Sequence, residues 1–218
     1  MNPRKNYQMV VDAFKVLREK NKTIKLYFKT TGNGKEELYE QDGIIFDSRN
    51  VSALEMADLY KKANCFVFPS SGEGFGLPLL EAMATGTPAI HTGYSGMEFA
   101  KKEFTYHVDY VLGPTRIDVH SLDTSWAFPN FDDLVEKMDY VFNNYDEAKE
   151  KAYKGSVYAK NFTWAKTAKE IARLISERTE EINSVPMYNI LNLGCGKAQI
   201  PWADNLDFRT NYSPDIVL

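Results

Sequence analysis

The segment from Pro69 to Pro88 constrains the fold and function of this chain more than any other. It follows the apolar stretch 65–68, which predicts a buried strand, and it opens with the glycine-rich turn Gly72-Glu73-Gly74-Phe75-Gly76. A helix over 78–85 is predicted next, because proline suits the first helical position and apolar residues follow it. A strand, a glycine turn and a helix in this order are typical of a ligand-binding edge in an α/β sheet.

The turn and the start of the helix predict a phosphate site that lies beside two carboxylates. Gly74 and Gly76 permit positive φ and let a ligand approach the backbone closely. The N-terminus of a helix adds unpaired N–H groups and a partial positive charge. Glu73 lies in the turn, and Glu81 lies about one turn into the helix, within reach of the sugar of a nucleotide bound there. The segment therefore predicts a nucleotide-sugar site.

Helical and strand patterns alternate along the chain, as in a parallel α/β sheet. Ser52 and Glu55 have the spacing of a capping box before a helix. The stretch from Tyr106 to Pro129 has no clear period and is predicted to be a long loop with a strand or two. The predicted helices cover 7–19, 53–63, 78–85, 97–101, 132–143 and 163–181, and the predicted strands cover 24–28, 65–68 and 89–92.

The whole run of residues 69–88, with Glu73 and Glu81 separated by seven residues, resembles the signature of retaining glycosyltransferases of family 4. These enzymes have the GT-B fold of two facing Rossmann-like domains, and the resemblance, over about residues 3–178, is to the second, nucleotide-binding domain. The resemblance implies a Rossmann-like parallel sheet flanked by helices, as one half of a GT-B fold. Residues 1–183 are expected to form this donor-binding domain, without its first strand.

The resemblance also implies roles for particular residues. Glu73 is the expected catalytic carboxylate, which contacts the donor sugar, and Glu81 is expected to accept hydrogen bonds from the ribose. Lys5 matches a lysine that contacts the donor diphosphate, whereas the arginine with which the family pairs it is expected to be absent with the first strand. Each role has a simpler alternative. Glu73 would then be a solvated loop acid, Glu81 a helix acid stabilised by the helix dipole, and Lys5 a surface lysine. The remaining donor-binding groups are expected to be the backbone N–H groups of Gly74, Phe75, Gly76 and Leu77.

A second resemblance begins after a predicted linker at 184–187. Residues 188–196 are predicted to form a strand and a glycine turn, and they resemble the first motif of class I S-adenosylmethionine-dependent methyltransferases. Gly194 and Gly196 would bind S-adenosylmethionine there, and Asp207 would match the acid that binds its ribose. Residues 188–218 are expected to be an incomplete second Rossmann-like segment, too short to cover both faces of a sheet. Methyltransferase activity is therefore expected only in a longer protein.

The function implied is transfer of a sugar, with retention, from a nucleoside diphosphate sugar to a hydroxyl of a glycan, lipid or other acceptor. The acceptor domain is expected to be missing before Met1, so the chain alone is expected to be inactive or weakly active. One alternative is a non-catalytic nucleotide-binding module, and another is one part of a bifunctional glycosyltransferase and methyltransferase. A GT-B epimerase or phosphorylase is disfavoured by the Glu-Gly-Phe-Gly-Leu-Pro string.

Composition excludes several other classes of function. The net charge of −4 argues against general binding of nucleic acid, which needs a basic face. There is no long apolar span, so no transmembrane segment and a cytoplasmic location are expected. No cofactor is expected for sugar transfer, and no metal site, because no histidine has a ligand partner at suitable spacing. Cys65 and His91 are expected in the core, and His107 and His120 in solvent.

Overall fold

The computed structural model describes residues 3–30, 37–115, 125–183, 191–193 and 204–206. The chain divides into two compact units, residues 1–161 and residues 162–218. In the described part of the first unit the helices are α1 (Tyr7–Lys20), α2 (Ala53–Lys62), α3 (Leu77–Ala84), α4 (Phe131–Asn143) and α5 (Tyr145–Ala159). Its strands are β1 (Leu26–Lys29), β2 (Leu38–Gln41), β3 (Ile44–Asp47), β4 (Phe66–Phe68), β5 (Ala89–Thr92), β6 (Tyr106–Val108), β7 (Tyr110–Pro114) and β8 (Ser125–Pro129).

Two three-stranded sheets and one hairpin make up the β-structure of the first unit within these ranges. In the first sheet β1 lies parallel to β3, which pairs antiparallel with β2. The second sheet has the order β4-β5-β6 and is parallel throughout. Strands β7 and β8 form an antiparallel pair. The helix α3 connects β4 to β5, as a crossover between parallel strands requires, and α2 lies between β3 and β4, which belong to different sheets.

Strand β5 is the central strand of the second sheet and is buried at all four positions. Its Ala89 packs in one apolar cluster with Leu79 and Met83 of α3. Its Ile90 packs in a different cluster, with Leu134 of α4. Because successive side chains of a strand point to opposite faces, this sheet is covered by helices on both faces. The structure thus confirms an α/β fold with a parallel sheet flanked by helices.

Local signals in the sequence explain where the helices begin. The capping box at the start of α2 is present: Ser52 Oγ accepts from the Glu55 N–H at 3.3 Å, and Glu55 Oε2 accepts from the Ser52 N–H at 2.8 Å. Helix α3 begins at Leu77, one residue before its predicted start, so Pro78 is the second helical residue. Its missing N–H still falls among those that have no partner within the helix.

Several elements differ from the sequence prediction. The stretch predicted to be mainly loop, 106–129, contains β6, β7 and β8, and β6 is part of the parallel sheet. The predicted short helix at 97–101 is a 3₁₀ turn over Ser95–Met97. Helix α5 and strands β2 and β3 have no counterpart in the sequence prediction.

The described part of the second unit consists of helix α6 (Trp164–Asn183) and two short strands, β9 (Leu191–Leu193) and β10 (Asp204–Leu206). The two strands pair in parallel, with Asp204 opposite Leu191. The predicted linker at 184–187 lies outside the described residues. Among the helices that are described, none combines the length and the apolar character needed to cross a membrane.

Candidate functional site

The turn between β4 and α3 is the centre of the candidate site. It leaves the carboxyl end of the parallel strand β4, and its first polar residues, Ser70 and Ser71, are buried. Gly76 caps α3 in the left-handed conformation, with φ of +88°, and a Cβ there would approach Met97 Cγ to 2.9 Å. Both the backbone angle and the packing therefore require glycine at this position.

Of the two glycines that permit a positive φ in this turn, only Gly76 adopts one, and Gly74 does not. Gly74 is exposed, and a Cβ added there would meet no atom within 4 Å. Neither packing nor backbone angle thus requires glycine at this position in the protein alone. Phe75 and Leu77, which belong to the same predicted donor-binding set, are also exposed. The ring of Phe75 stacks on the ring of Phe99, with 4.8 Å between the ring centroids.

Glu73 is held by three donors that converge on a single oxygen. Lys5 Nζ donates to Glu73 Oε1 at 2.5 Å, and Ser70 Oγ donates to the same oxygen at 2.6 Å. Arg4 Nη1 forms an ion pair with this oxygen at 2.8 Å. The Glu73 side chain is only 10% exposed, so it is not a solvated loop acid. The structure therefore brings together two of the predicted site residues, Lys5 and Glu73, which are 68 positions apart.

Opposing effects act on the pKa of Glu73. Burial by itself would raise the pKa, because the charged form loses solvation. Hydrogen bonds from Lys5, Ser70 and Arg4, together with the charge of Lys5, outweigh burial, and the pKa is lowered from its ordinary value. Glu73 is therefore an anion at neutral pH.

Residues 3–6 are hydrogen-bonded to the turn that carries Glu73. The Ser71 N–H donates to Arg4 O at 2.8 Å, and the Arg4 guanidinium donates to Gly72 O. Asn6 Nδ2 donates to Pro69 O at 2.8 Å and also contacts Ser71 Oγ at 2.9 Å. The segment just before α1 is thus bonded along the turn that follows β4. Sequence reasoning singled out Lys5 in this segment and missed the contributions of Arg4 and Asn6.

Glu81 has a separate environment. It is exposed on α3, and its Oε2 accepts from the Tyr60 hydroxyl of α2 at 3.1 Å. Tyr60 is buried, and burial together with the charge of Glu81 raises the pKa of its hydroxyl, which therefore remains a donor. A buried tyrosine thus orients a carboxylate whose other side faces solvent. Tyr60 is a contributor that the sequence motif does not reveal.

The loop after β5 closes against the turn that holds Glu73. The Gly96 N–H donates to Glu73 O at 3.0 Å, and Ser95 Oγ donates to the same oxygen at 2.8 Å. A Cβ at Gly96 would lie 2.3 Å from Gly74 O and 2.7 Å from Glu73 O. Gly96 is therefore needed for close approach of the two loops. Ser95 itself has a φ of +61°, which is unusual for a residue with a side chain.

A groove lies at the carboxyl end of β3. Two adjoining cavities of about 280 and 370 Å³ share Arg49, Asn50 and Val51 as lining residues. Asp47 is fully buried beside them; its carboxylate accepts from Arg49 Nε and Nη2, each at 2.9 Å, and from the Tyr27 hydroxyl. The hydrogen bonds from Arg49 lower the pKa of Asp47 against the opposing effect of burial. This network holds one wall of the groove in place.

His91 of β5 lies in the core, and His107 of β6 is half-buried beside it. His91 is buried, and its Nε2 lies 2.9 Å from Thr105 Oγ1 and 3.1 Å from Ala100 O. Burial lowers its pKa to about 3, with a smaller contribution from His107. His107 pairs with His91 in the sheet register, with ring centroids 4.5 Å apart, so its predicted solvent position is wrong. His120 lies outside the described residues.

Burial raises the pKa of the Cys65 thiol to about 12, and the side chain packs against the core, as predicted. Gly194, Gly196 and Asp207, the candidates for binding S-adenosylmethionine, lie outside the described residues. Within the part of the chain that the structure describes, no three His, Cys, Asp or Glu side chains are grouped so that they could hold a metal ion.

The fold defines a class: α/β proteins in which a glycine turn leads from a parallel strand into a helix at the sheet edge. A sequence model described as glycosyl transferases group 1 matches residues 1–114, and the chain belongs to this family. An uncharacterized glycosyltransferase from Methanocaldococcus jannaschii is 28% identical over 188 residues, which is 82% of this chain and 46% of the relative. A D-inositol 3-phosphate glycosyltransferase from Corynebacterium efficiens is 33% identical over 127 residues, which is 57% of this chain and 26% of the relative.

Solved structures agree on the fold. A sucrose-phosphate synthase from Thermosynechococcus elongatus matches with a TM-score of 0.61 at 19% identity, over 83% of this chain and 44% of that one. The pneumococcal O-GlcNAc transferase GtfA, solved with UDP and GlcNAc, matches with a TM-score of 0.54 at 17% identity, over 84% of this chain and 34% of that one. The chain spans less than half the length of these proteins and of the curated relatives above.

Proposed function

We propose that this chain supplies the donor-binding half of a retaining glycosyltransferase that uses a nucleoside diphosphate sugar. The observation that carries the proposal is the contact between Lys5 and Glu73 in the turn that leads into α3. A cation, a carboxylate and, after the turn, the N-terminus of a helix are groups that suit a diphosphate and the sugar attached to it. Family membership and the names of the relatives, which are glycosyltransferases, support the same proposal.

The proposed roles follow from the environments of the two glutamates. Lys5 and the N–H groups at the start of α3 bind the diphosphate. Glu73, an anion at neutral pH, stabilises the positive charge that develops at the anomeric carbon during transfer. Glu81 presents an oriented, solvent-facing carboxylate to the ribose hydroxyls. The groove at Arg49, Asn50 and Val51 is the proposed position of the base, because α2 contributes both to its wall and to the orientation of Glu81.

In the proposed reaction the bond between the anomeric carbon and the phosphate oxygen breaks, and the diphosphate leaves with the bonding electrons. The acceptor hydroxyl attacks on the same face, and its proton passes to the leaving phosphate oxygen. The product is a glycoside with retained configuration and a nucleoside diphosphate. The acceptor site and the first strand of the domain are proposed to belong to a longer protein, so this chain alone binds the donor and turns it over poorly.

Two alternatives stay predictions. A non-catalytic nucleotide-binding module would also bind a nucleotide, and it differs from the proposal only in lacking transfer when the acceptor domain is supplied. A bifunctional protein with a methyltransferase remains a prediction, and the parallel pair β9 and β10 is compatible with the beginning of a second α/β domain. In that case S-adenosylmethionine would bind only to the longer protein.

The test is calorimetric titration of the chain with UDP, GDP and ADP, beside Glu81→Ala and the control Glu150→Ala. Glu150 is an exposed glutamate on α5, paired with Lys154, that has no role in the proposal. A hydrogen bond to a charged group contributes about 1.5–3 kcal/mol, so Glu81→Ala should weaken nucleotide binding at least about tenfold. Glu150→Ala should leave it unchanged. Equal binding by both variants, or binding of none of the three nucleotides, would refute the proposed site.

A further inference from the structure

Arg4 and Lys5 both contact the same oxygen atom of Glu73, Oε1. Arg4 Nη1 lies 2.8 Å from Glu73 Oε1, and Lys5 Nζ lies 2.5 Å from the same atom. The side chains of Arg4 and Lys5 keep 26% and 35% of their exposure, whereas that of Glu73 keeps 10%. The carboxylate is thus the inner partner, and the two cations extend from it toward solvent.

The contacts of Glu73 are mainly cationic. Two cationic side chains, those of Arg4 and Lys5, contact its one carboxylate. The donors that converge on Glu73 Oε1 are an ammonium, a guanidinium and the Ser70 hydroxyl. Guanidinium and ammonium groups are the donors that proteins use for phosphate oxygens. The oxygen of Glu73 therefore occupies a position that would also suit an oxygen of a phosphate.

We propose that Arg4 and Lys5 form a two-cation clamp for the donor diphosphate, and that Glu73 neutralises this clamp until a diphosphate displaces it. This inference rests on the proposed function and names a binding residue that the family resemblance did not supply. After displacement, Arg4 and Lys5 contact the phosphates and no longer contact the carboxylate of Glu73. Glu73 is then released toward the sugar, where its negative charge acts on the reacting carbon. Binding of the donor and placement of the carboxylate are thereby one event.

The displacement model makes opposite predictions for the members of the cluster. If Glu73 competes with phosphate for the cations, its neutral isostere should leave the clamp more available, and affinity for a bare diphosphate should rise. If Glu73 only supports the turn, removal of its charge should leave this affinity unchanged or lower it. Loss of either cation should lower affinity, and Arg4→Lys should restore part of the loss because it keeps the charge.

The experiment uses inorganic pyrophosphate as the probe, with calorimetry on the full chain and circular dichroism to verify folding of each variant. We expect Glu73→Gln to bind pyrophosphate about threefold more tightly, which is within the range for loss of a partly exposed ion pair. Arg4→Gln and Lys5→Gln should each bind about tenfold more weakly. Lys25→Gln, which removes an exposed lysine paired with Glu40, is the matched control and should leave affinity unchanged.

Unchanged or weaker pyrophosphate binding by Glu73→Gln would overturn the displacement, and unchanged binding by Arg4→Gln would overturn the clamp. Absence of pyrophosphate binding in both the native chain and Glu73→Gln would overturn both. The nucleotide titrations separate the two proposals. Binding of UDP, GDP or ADP without the pyrophosphate pattern would leave the proposed function standing, whereas the pattern without nucleotide binding would leave only the anion clamp.

Discussion

Gly96 offers a direct test of the loop packing that positions Glu73. A Cβ at this residue would lie 2.3 Å from Gly74 O and 2.7 Å from Glu73 O, distances that real Cβ atoms essentially never show. Both neighbours are backbone atoms, which cannot rotate away as a flexible side chain could. The backbone of Gly96 is not in the left-handed region, so alanine is compatible with its φ. Gly96→Ala is therefore a purely steric perturbation.

The expected magnitude follows from the cost of overpacking. Extra atoms in a packed region cost about 1–3 kcal/mol, and the backbone identity of the neighbours places Gly96→Ala in the upper part of this range. Gly74→Ala is the matched control, because a Cβ there meets nothing within 4 Å and its φ is not positive. Reduced freedom of the unfolded chain should make this variant more stable, by about 0.4–1 kcal/mol. The two substitutions should thus change the free energy of unfolding in opposite directions.

Urea unfolding followed by circular dichroism measures both free energies, and Trp126 provides a local probe by fluorescence. Trp126 is buried in β8, and its neighbour Ala127 donates its N–H to Ser71 O in the site turn at 2.9 Å. Equal stability of Gly96→Ala and Gly74→Ala would refute the packing argument.

Three further predictions concern other parts of the first unit. Tyr60→Phe removes the hydroxyl that orients Glu81 and should weaken nucleotide binding by about 0.5–1.5 kcal/mol in the same calorimetric assay, less than Glu81→Ala does. Asp47→Ala leaves the Arg49 guanidinium without its buried carboxylate and should lower the free energy of unfolding by about 2 kcal/mol, measured with urea, whereas a change near zero would contradict the described network. Burial lowers the pKa of His91 from 6.5 to about 3, so between these pH values the unfolded chain binds a proton that the folded chain does not. The free energy of unfolding should therefore fall as the pH drops from 6.5 toward 3, by roughly 2 kcal/mol at pH 5. His91→Gln should flatten this dependence, measured by unfolding curves at pH 7 and pH 5.

Strong local signals made much of the fold predictable. The apolar run at β5 matches the observed strand at both ends, and the capping box at Ser52 places the start of α2. Helix α5 escaped prediction because its buried face consists of small residues, Ala148, Ala152, Gly155 and Ala159, which give little hydrophobic contrast. The turn of the β2–β3 hairpin has a recognisable sequence, which the prediction did not include. Asp42 and Gly43 both have positive φ, and an Asp-Gly pair is a strong hairpin indicator.

The candidate site was predictable only where its residues are close in sequence. Glu73, Gly76 and Glu81 lie within one motif, and their positions follow from the turn and the helix. Arg4 and Ser70 are 66 residues apart, and no spacing rule relates them. Their proximity depends on how the segment before α1 lies along the end of β4, and only the assembled fold shows this. The same holds for Tyr60, which reaches Glu81 from a neighbouring helix.

The two glutamates of the motif have different environments because Gly76 lies between them. Gly76, in the left-handed conformation, ends the turn and starts α3, so Glu73 stays in the turn while Glu81 belongs to the helix. Glu73 is consequently buried against the cations that precede α1, whereas Glu81 projects from α3 beside α2. These two environments suit the two proposed roles, a carboxylate that bound phosphate displaces and a carboxylate that faces a ribose hydroxyl. The spacing of seven residues is thus a consequence of placing one acid before the helix cap and the other a turn beyond it.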